Sequence, residues 1–322
     1  MIKKFIYLCC ITLALAGCSE EALNGDSVIT EPTEQASDID KWVFKNLTEP
    51  YNVQVIYQSG SIAMAPDEYA PKTEKVLDVL ETIKALWVDV YATEGIGGTN
   101  YLKEKMPMRI HLIGGRKLDA SGKELITNPT ATGINMYIYN VNEFNRNDEH
   151  DVFCLMRSVH FQFAKRLLEL KGYDRDKFLQ ISRHRYRNSP YGVNVGLTKQ
   201  SRHEAFDVSR EAAKRGCFSL FGLSSAEDDM ADMISTLLTH KPTVEQERLQ
   251  AARHYEIPKN DPDPDYTRQL AQEGEQCAQE MEQKMVIVRD FFKKEAGLNL
   301  NQLQLLSINK LINFTKTKNR DE

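Results

Sequence analysis

Apolar and polar side chains alternate over Tyr51-Asn52-Val53-Gln54-Val55-Ile56-Tyr57, the period of a strand with one buried face. Alternation returns over Met108 to Ile113 and Ile134 to Tyr139, which predicts two more strands. Gly114, Gly115, Asp119 and Gly122 lie between them as turn formers, so they are expected to be neighbours in one sheet. Elsewhere the period is helical. Val76, Leu77, Val79, Leu80, Ile83, Leu86 and Trp87 recur at three- and four-residue spacing, predicting a helix from Thr73, its cap, to Val90.

A second helix is expected from Glu149 to Leu170, closed by Gly172. A long polar segment follows, including Arg183 to Arg187, with loops expected around Asn188-Ser189-Pro190 and Gly192. Ser224 or Ser225 then caps a helix reaching His240, and Ser224 with Glu227 has capping-box spacing. After a Pro- and Asp-rich loop at 258–265, Tyr266 to Ala296 reads as one long helix closed by Gly297, and Asn301 to Phe314 as a short last one. Strands early and helices late make the class α+β.

Within the 149–170 helix, about 100° per residue places Val152, Met156, Val159, Phe163, Leu167 and Leu170 on one stripe, which must face the core. Phe161 and Lys165 then lie nearly opposite, beside Arg157 and Leu168, and His160 sits on the flank, placed to hydrogen-bond inside. In zinc metallopeptidases that opposite face carries HExxH. An i, i+4 pair brings two imidazoles to one metal, and the Glu between takes a proton from the bound water. Laid on this helix, the pattern falls on Phe161, Gln162 and Lys165. Phe has no lone pair, Gln does not exchange a proton near neutral pH, and an ammonium repels Zn²⁺.

That alignment rests on a resemblance, since by itself a helix reading FQFAK is only a helix. The segments EPYNVQVIYQ, PKTEKVLDVLETIKALWVDVY, PMRIHLIGG, INMYIYNVNEF, SVHFQFAK, SREAAKRGCFS, SSAEDDMADMIS and EQKMVIVRDFFKKEAGLNLNQLQ follow one another along nearly the whole chain. In order and spacing they resemble the zinc-binding metallopeptidase lipoproteins found beside TonB-dependent nutrient importers, also described as substrate-import-associated zinc metallohydrolase lipoproteins. The resemblance implies a zincin-like domain with a small sheet, an active-site-type helix and a helical C-terminal half. The helix there typically reads HHEFAH, so His160 matches the extra histidine and Phe163-Ala164 the middle pair. The chain departs from the pattern at the ligands and the base themselves.

The resemblance also implies a third ligand from a later helix. Asp228 matches it, with Asp232 one turn on as its supporting acid. Their i, i+4 spacing gives them one face, away from Met230, Met233, Ile234 and Leu237. Read without the resemblance, acids in a first helical turn answer the macrodipole and face water. If they face Phe161 and Lys165 instead, a carboxylate cluster without a metal needs a cation, and Lys165 is expected to pair with Asp228 or Asp232.

The N-terminus changes the picture of location. Lys3 and Lys4 precede an apolar stretch ending Leu15-Ala16-Gly17-Cys18, which reads as a lipoprotein signal over 1–17 with Cys18 acylated. Residues 18–40 read as an acidic flexible tether and 41–322 as a single domain. Glu20 and Glu21, directly after the lipidated cysteine, resemble a surface-export signal. The expected location is therefore the outer membrane, lipid-anchored and facing out. A net charge of −5 over 322 residues, with no basic run, excludes a nucleic-acid binder of the usual kind.

Cys154, Cys217 and Cys277 are widely spaced and read as buried thiols, with one disulfide left open. His203-Glu204-Ala205-Phe206-Asp207 is an HExxD string and so an alternative metal site. His111, His150, His184, His240 and His254 show no metal spacing. Tyr186, Tyr191 and Phe161 could stack on sugars or peptide side chains. The leading expectation is a metal-free relative of a metallopeptidase, a binding or accessory component of an importer with a peptide or glycan ligand and no cofactor. The alternatives are an active zinc hydrolase with atypical ligands, and a purely structural partner of the importer.

Overall fold

The computed structural model describes residues 31–58, 68–118, 133–186, 211–254 and 260–318. Helix α1 (Asp38–Val43) runs on through a π turn at Phe44–Thr48. It starts inside the stretch read as tether over 18–40, because the Ser37 hydroxyl accepts the Asp40 N–H at 3.1 Å and caps it, while Ile39 and Val43 are buried.

Strands β1 (Gln54–Ile56), β2 (Arg109–Leu112) and β3 (Asn135–Ile138) form a parallel sheet in the order β1-β2-β3. The register pairs Val55 with Ile110 and Ile110 with Met136. The strand pattern thus held in place and neighbourhood. Ile110, Leu112, Met136 and Ile138 turn one face of the sheet to the core.

Helix α2 (Thr73–Ile83) carries the expected stripe and continues through a π turn at Lys84–Val88 to Tyr91. Lys72, not Thr73, occupies its cap, and no side chain bonds there. A short α3 (Thr99–Lys103) follows. Helix α4 (Glu149–Lys171) is capped by Asp148, whose carboxylate accepts the His150 and Asp151 N–H groups, and ends at Gly172, whose φ of 70° suits a residue without a Cβ. Phe163 is wedged edge-on against Trp87 and Tyr91, at centroid distances of 5.1 and 4.9 Å, and fixes α4 to α2.

The stripe on α4 is buried from Val152 to Leu167, but Leu170 is 40% exposed, because the helix outruns its cover there. Two helices fall where no element is expected from the sequence, one in the polar segment after Gly172 and one between His240 and the loop at 258–265. These are α5 (Arg175–Ser182), whose Asp174 cap accepts the Lys177 N–H, and α7 (Val244–Arg253). Each buries few side chains, so its apolar period is faint. Between them α6 (Ala226–Thr239) is capped by Ser225, which accepts the Asp228 N–H at 3.1 Å; Ser224 and Glu227 form no capping box. The C-terminal half closes with α8 (Pro264–Phe291), extended by a π turn to Ala296 and stopped at Gly297 with φ 70°, and α9 (Leu300–Lys318).

Helix α4 lies between the sheet and α6. Helix α6 is buried along most of its length, Asp229 and Asp232 included. The architecture is α+β, as expected from the sequence.

Candidate functional site

The face of α4 opposite the stripe is not an open cleft wall. Phe161 is 3% exposed, with its ring 6.3 Å from that of Phe221. Gln162 is buried as well and turns to the sheet. Its Oε1 accepts the Tyr137 N–H at 2.8 Å and its Nε2 donates to the Tyr137 carbonyl at 2.8 Å. One turn on, Lys165 Nζ donates to Asp228 Oδ1 at 2.7 Å and stands 5.8 Å from the Phe161 ring centre. The side chains of the ion pair keep 31% and 23% of their exposure.

Asp232, expected beside Asp228 on one open face, is instead fully buried. Its carboxylate takes the Arg157 guanidinium, the Ser219 N–H at 2.9 Å and the Ser219 hydroxyl at 2.7 Å. Asp228 sits in the first turn and reaches back to Lys165. Asp232, a turn deeper, is enclosed by α4 and the Ser219 turn.

Sequence reasoning missed the third acid. Asp229 meets Lys284 of α8 at 2.6 Å with both side chains 0% exposed, and it also accepts the Tyr186 hydroxyl at 2.9 Å. Lys284 Nζ donates in addition to the Gly216 carbonyl at 2.8 Å and lies about 6 Å from the Phe178 and Tyr186 rings. Burial works to lower the Lys284 pKa, but the Asp229 charge outweighs it and holds the ammonium above its ordinary value. A signal existed. Cys277, Met281, Met285, Val288 and Phe291 form the buried stripe of α8, and Lys284 stands within it.

Each acid of Glu227-Asp228-Asp229-Met230-Ala231-Asp232 therefore has its own cation. Arg175 serves Glu227, Lys165 serves Asp228, Lys284 serves Asp229 and Arg157 serves Asp232. The acid-rich turn of α6 is neutralised by three other helices.

The remaining expectations divide. His160 is buried, 3.4 Å from the Ser307 hydroxyl, and burial together with the Arg157 charge lowers its pKa to about 3. His111 stacks on Tyr137 at 4.6 Å. Tyr186 spends its hydroxyl on Asp229, so its role is internal. Cys217 and Cys277 are buried free thiols, and Cys277 donates to the Lys214 carbonyl. Cys154 Sγ lies 3.4 Å from His150 Nε2. Cys18, Tyr191, His203, Glu204 and Asp207 lie outside the described residues.

For a zinc ion the donor chemistry of the matched positions does not fit. Phe161 offers no lone pair, Gln162 has both amide atoms engaged by Tyr137, and Lys165 brings positive charge against Asp228, the one carboxylate. Among the described residues no group of three or more His, Cys, Asp or Glu side chains is arranged to hold a metal ion.

A family model described as "Putative zinc-binding metallo-peptidase" matches residues 31–301. The crystal structure of a putative zinc-binding metallo-peptidase from Bacteroides caccae ATCC 43185 is similar at 19% identity, with a TM-score of 0.61 over 90% of this chain and 97% of that one. At that identity the likeness is one of fold. No curated protein matches.

Proposed function

The chain belongs to the putative zinc-binding metallo-peptidase family, and from that premise we propose that it is a member whose catalytic centre has been exchanged for an internal ion pair. It would act as a non-hydrolytic binding or accessory lipoprotein. The observation that carries this reading is the 2.7 Å contact between Lys165 and Asp228. The second-ligand position supplies an ammonium to the third-ligand position, so the charge a metal would bring is already there. A bound zinc would polarise a carbonyl and acidify a water in a hydrolytic relative. Here Lys165 balances Asp228, Phe161 covers the floor against Phe221, and Gln162 is spent on the sheet.

The location belongs to the same proposal. Leu15-Ala16-Gly17-Cys18 supports lipid attachment at Cys18, and the acids after it support surface display, which suits a component of an outer-membrane nutrient importer. A peptide or glycan fits such a role as ligand.

Elemental analysis of the purified chain after incubation with Zn²⁺ and dialysis tests the reading, together with peptide hydrolysis. No retained zinc and no hydrolysis are expected. Near-stoichiometric zinc with hydrolysis overturns it and directs attention to His203, Glu204 and Asp207.

A further inference from the structure

Gln162 stands where a hydrolytic relative has its base, yet what it does here is visible in its bonds. At the two ends of β3, the carbonyls of Ile134 and Ile138 point toward the β2 side, accepting the Met108 N–H at 2.8 Å and the Ile113 N–H at 2.9 Å, residues that flank β2. Backbone groups alternate along a strand, so the N–H and carbonyl of Tyr137 point to the opposite edge, toward α4. Both are taken by one side chain. The Gln162 amide accepts from the one and donates to the other at 2.8 Å each, the pair of bonds a residue of an adjoining strand would make.

We propose that Gln162 is a built-in strand surrogate that closes the edge of β3 at Tyr137 to main-chain recognition. A chain pairing with β3 at Tyr137 would run about 4.8 Å from it, the place the Gln162 amide fills. An extended peptide is therefore refused at this point, and whatever the protein binds is read elsewhere or through side chains. The amide is required and a carboxylate does not replace it: Glu accepts from the Tyr137 N–H but, when ionised, has no proton for the Tyr137 carbonyl. The inference is independent of the metal question, since it rests on the bonds of Gln162 alone.

The test uses the full-length chain with Gln162→Ala and Gln162→Glu. Removing the surrogate should speed exchange of the Tyr137 amide about two- to ten-fold, the loss of one net hydrogen bond. Gln162→Glu should be less stable than the parent at neutral pH and regain stability as pH falls, because the protonated carboxyl recovers the donor. Unchanged exchange at Tyr137 in Gln162→Ala overturns the proposal. If that variant does not fold, the pH profile of Gln162→Glu decides, and a deficit that is flat with pH overturns it. So does binding of an extended alternating Val-Thr peptide to the parent chain with a shift of the Tyr137 amide resonance.

Discussion

Lys165 on α4 and Asp228 on α6 meet at 2.7 Å and tie the two helices together by a salt bridge. Both side chains keep part of their exposure, so the pair contributes a few tenths to about 1 kcal/mol. Lys165→Met should therefore lower stability by no more than that amount, measured by urea unfolding. A loss of several kcal/mol would mean that Asp228 is far less hydrated than its exposure indicates.

The Asp229–Lys284 pair lies at the other extreme. With neither side chain exposed, removing one partner strands a charge in the core. Lys284→Met is expected to cost about 3–5 kcal/mol, and Asp229→Asn with Lys284→Met together less than the sum of the two singles. A double-mutant cycle in denaturant reads this directly. Additive losses would show that the two side chains act separately.

These two pairs also mark how far the sequence could be read. Lys165 with Asp228 was legible only through the family resemblance, which set the acids opposite Lys165 and left Asp232 as an equal candidate; by period alone both acids face water. Asp232 was legible as an acid but not as a buried one, because its enclosure depends on Arg157 and on a turn at Ser219 with no periodic signature. Asp229 stands among other acids in a first turn, where water is the ordinary neighbour, and only the misplaced Lys284 in an apolar stripe hinted otherwise. The sheet and the long helices were readable from period alone. Helices α5 and α7 were not, since each buries little and reads as polar.

Phe163 joins α4 to α2 through edge contacts with Trp87 and Tyr91. Phe163→Ala should cost about 3–5 kcal/mol through lost burial and the cavity left behind. Thermal or chemical unfolding measures it. A loss below about 1 kcal/mol would mean that α2 and α4 collapse together to fill the space.

Acid should weaken the fold through His160. Its pKa is about 3 in the folded chain against an ordinary value of 6.5, so the folded state holds it neutral. Such a depressed group contributes stability that is whole above 6.5 and is lost as pH falls toward 3, at roughly 1.4 kcal/mol per unit. His160→Asn cannot titrate, and its stability should fall less steeply between pH 6 and 4, read as the pH dependence of the urea midpoint. Equal slopes in both chains would place the acid sensitivity elsewhere.

The sharpest prediction places histidines at 161 and 165 while leaving Gln162 unchanged. On α4, residues four apart share a face, so Phe161→His with Lys165→His sets two imidazoles toward Asp228, the donor set of a tetrahedral zinc site with one open position. The double variant should retain zinc after dialysis where the parent does not, and zinc should raise its melting temperature by mass action. Peptide hydrolysis should stay absent, because Gln162 remains fixed to Tyr137 and no base stands beside the open position. Failure to bind zinc would mean that Phe161, packed on Phe221, has let the two helices close beyond the reach of a shared metal. Zinc binding accompanied by hydrolysis would show that a base other than residue 162 serves this cleft, and the ion pair would then be the only lock on an otherwise competent enzyme.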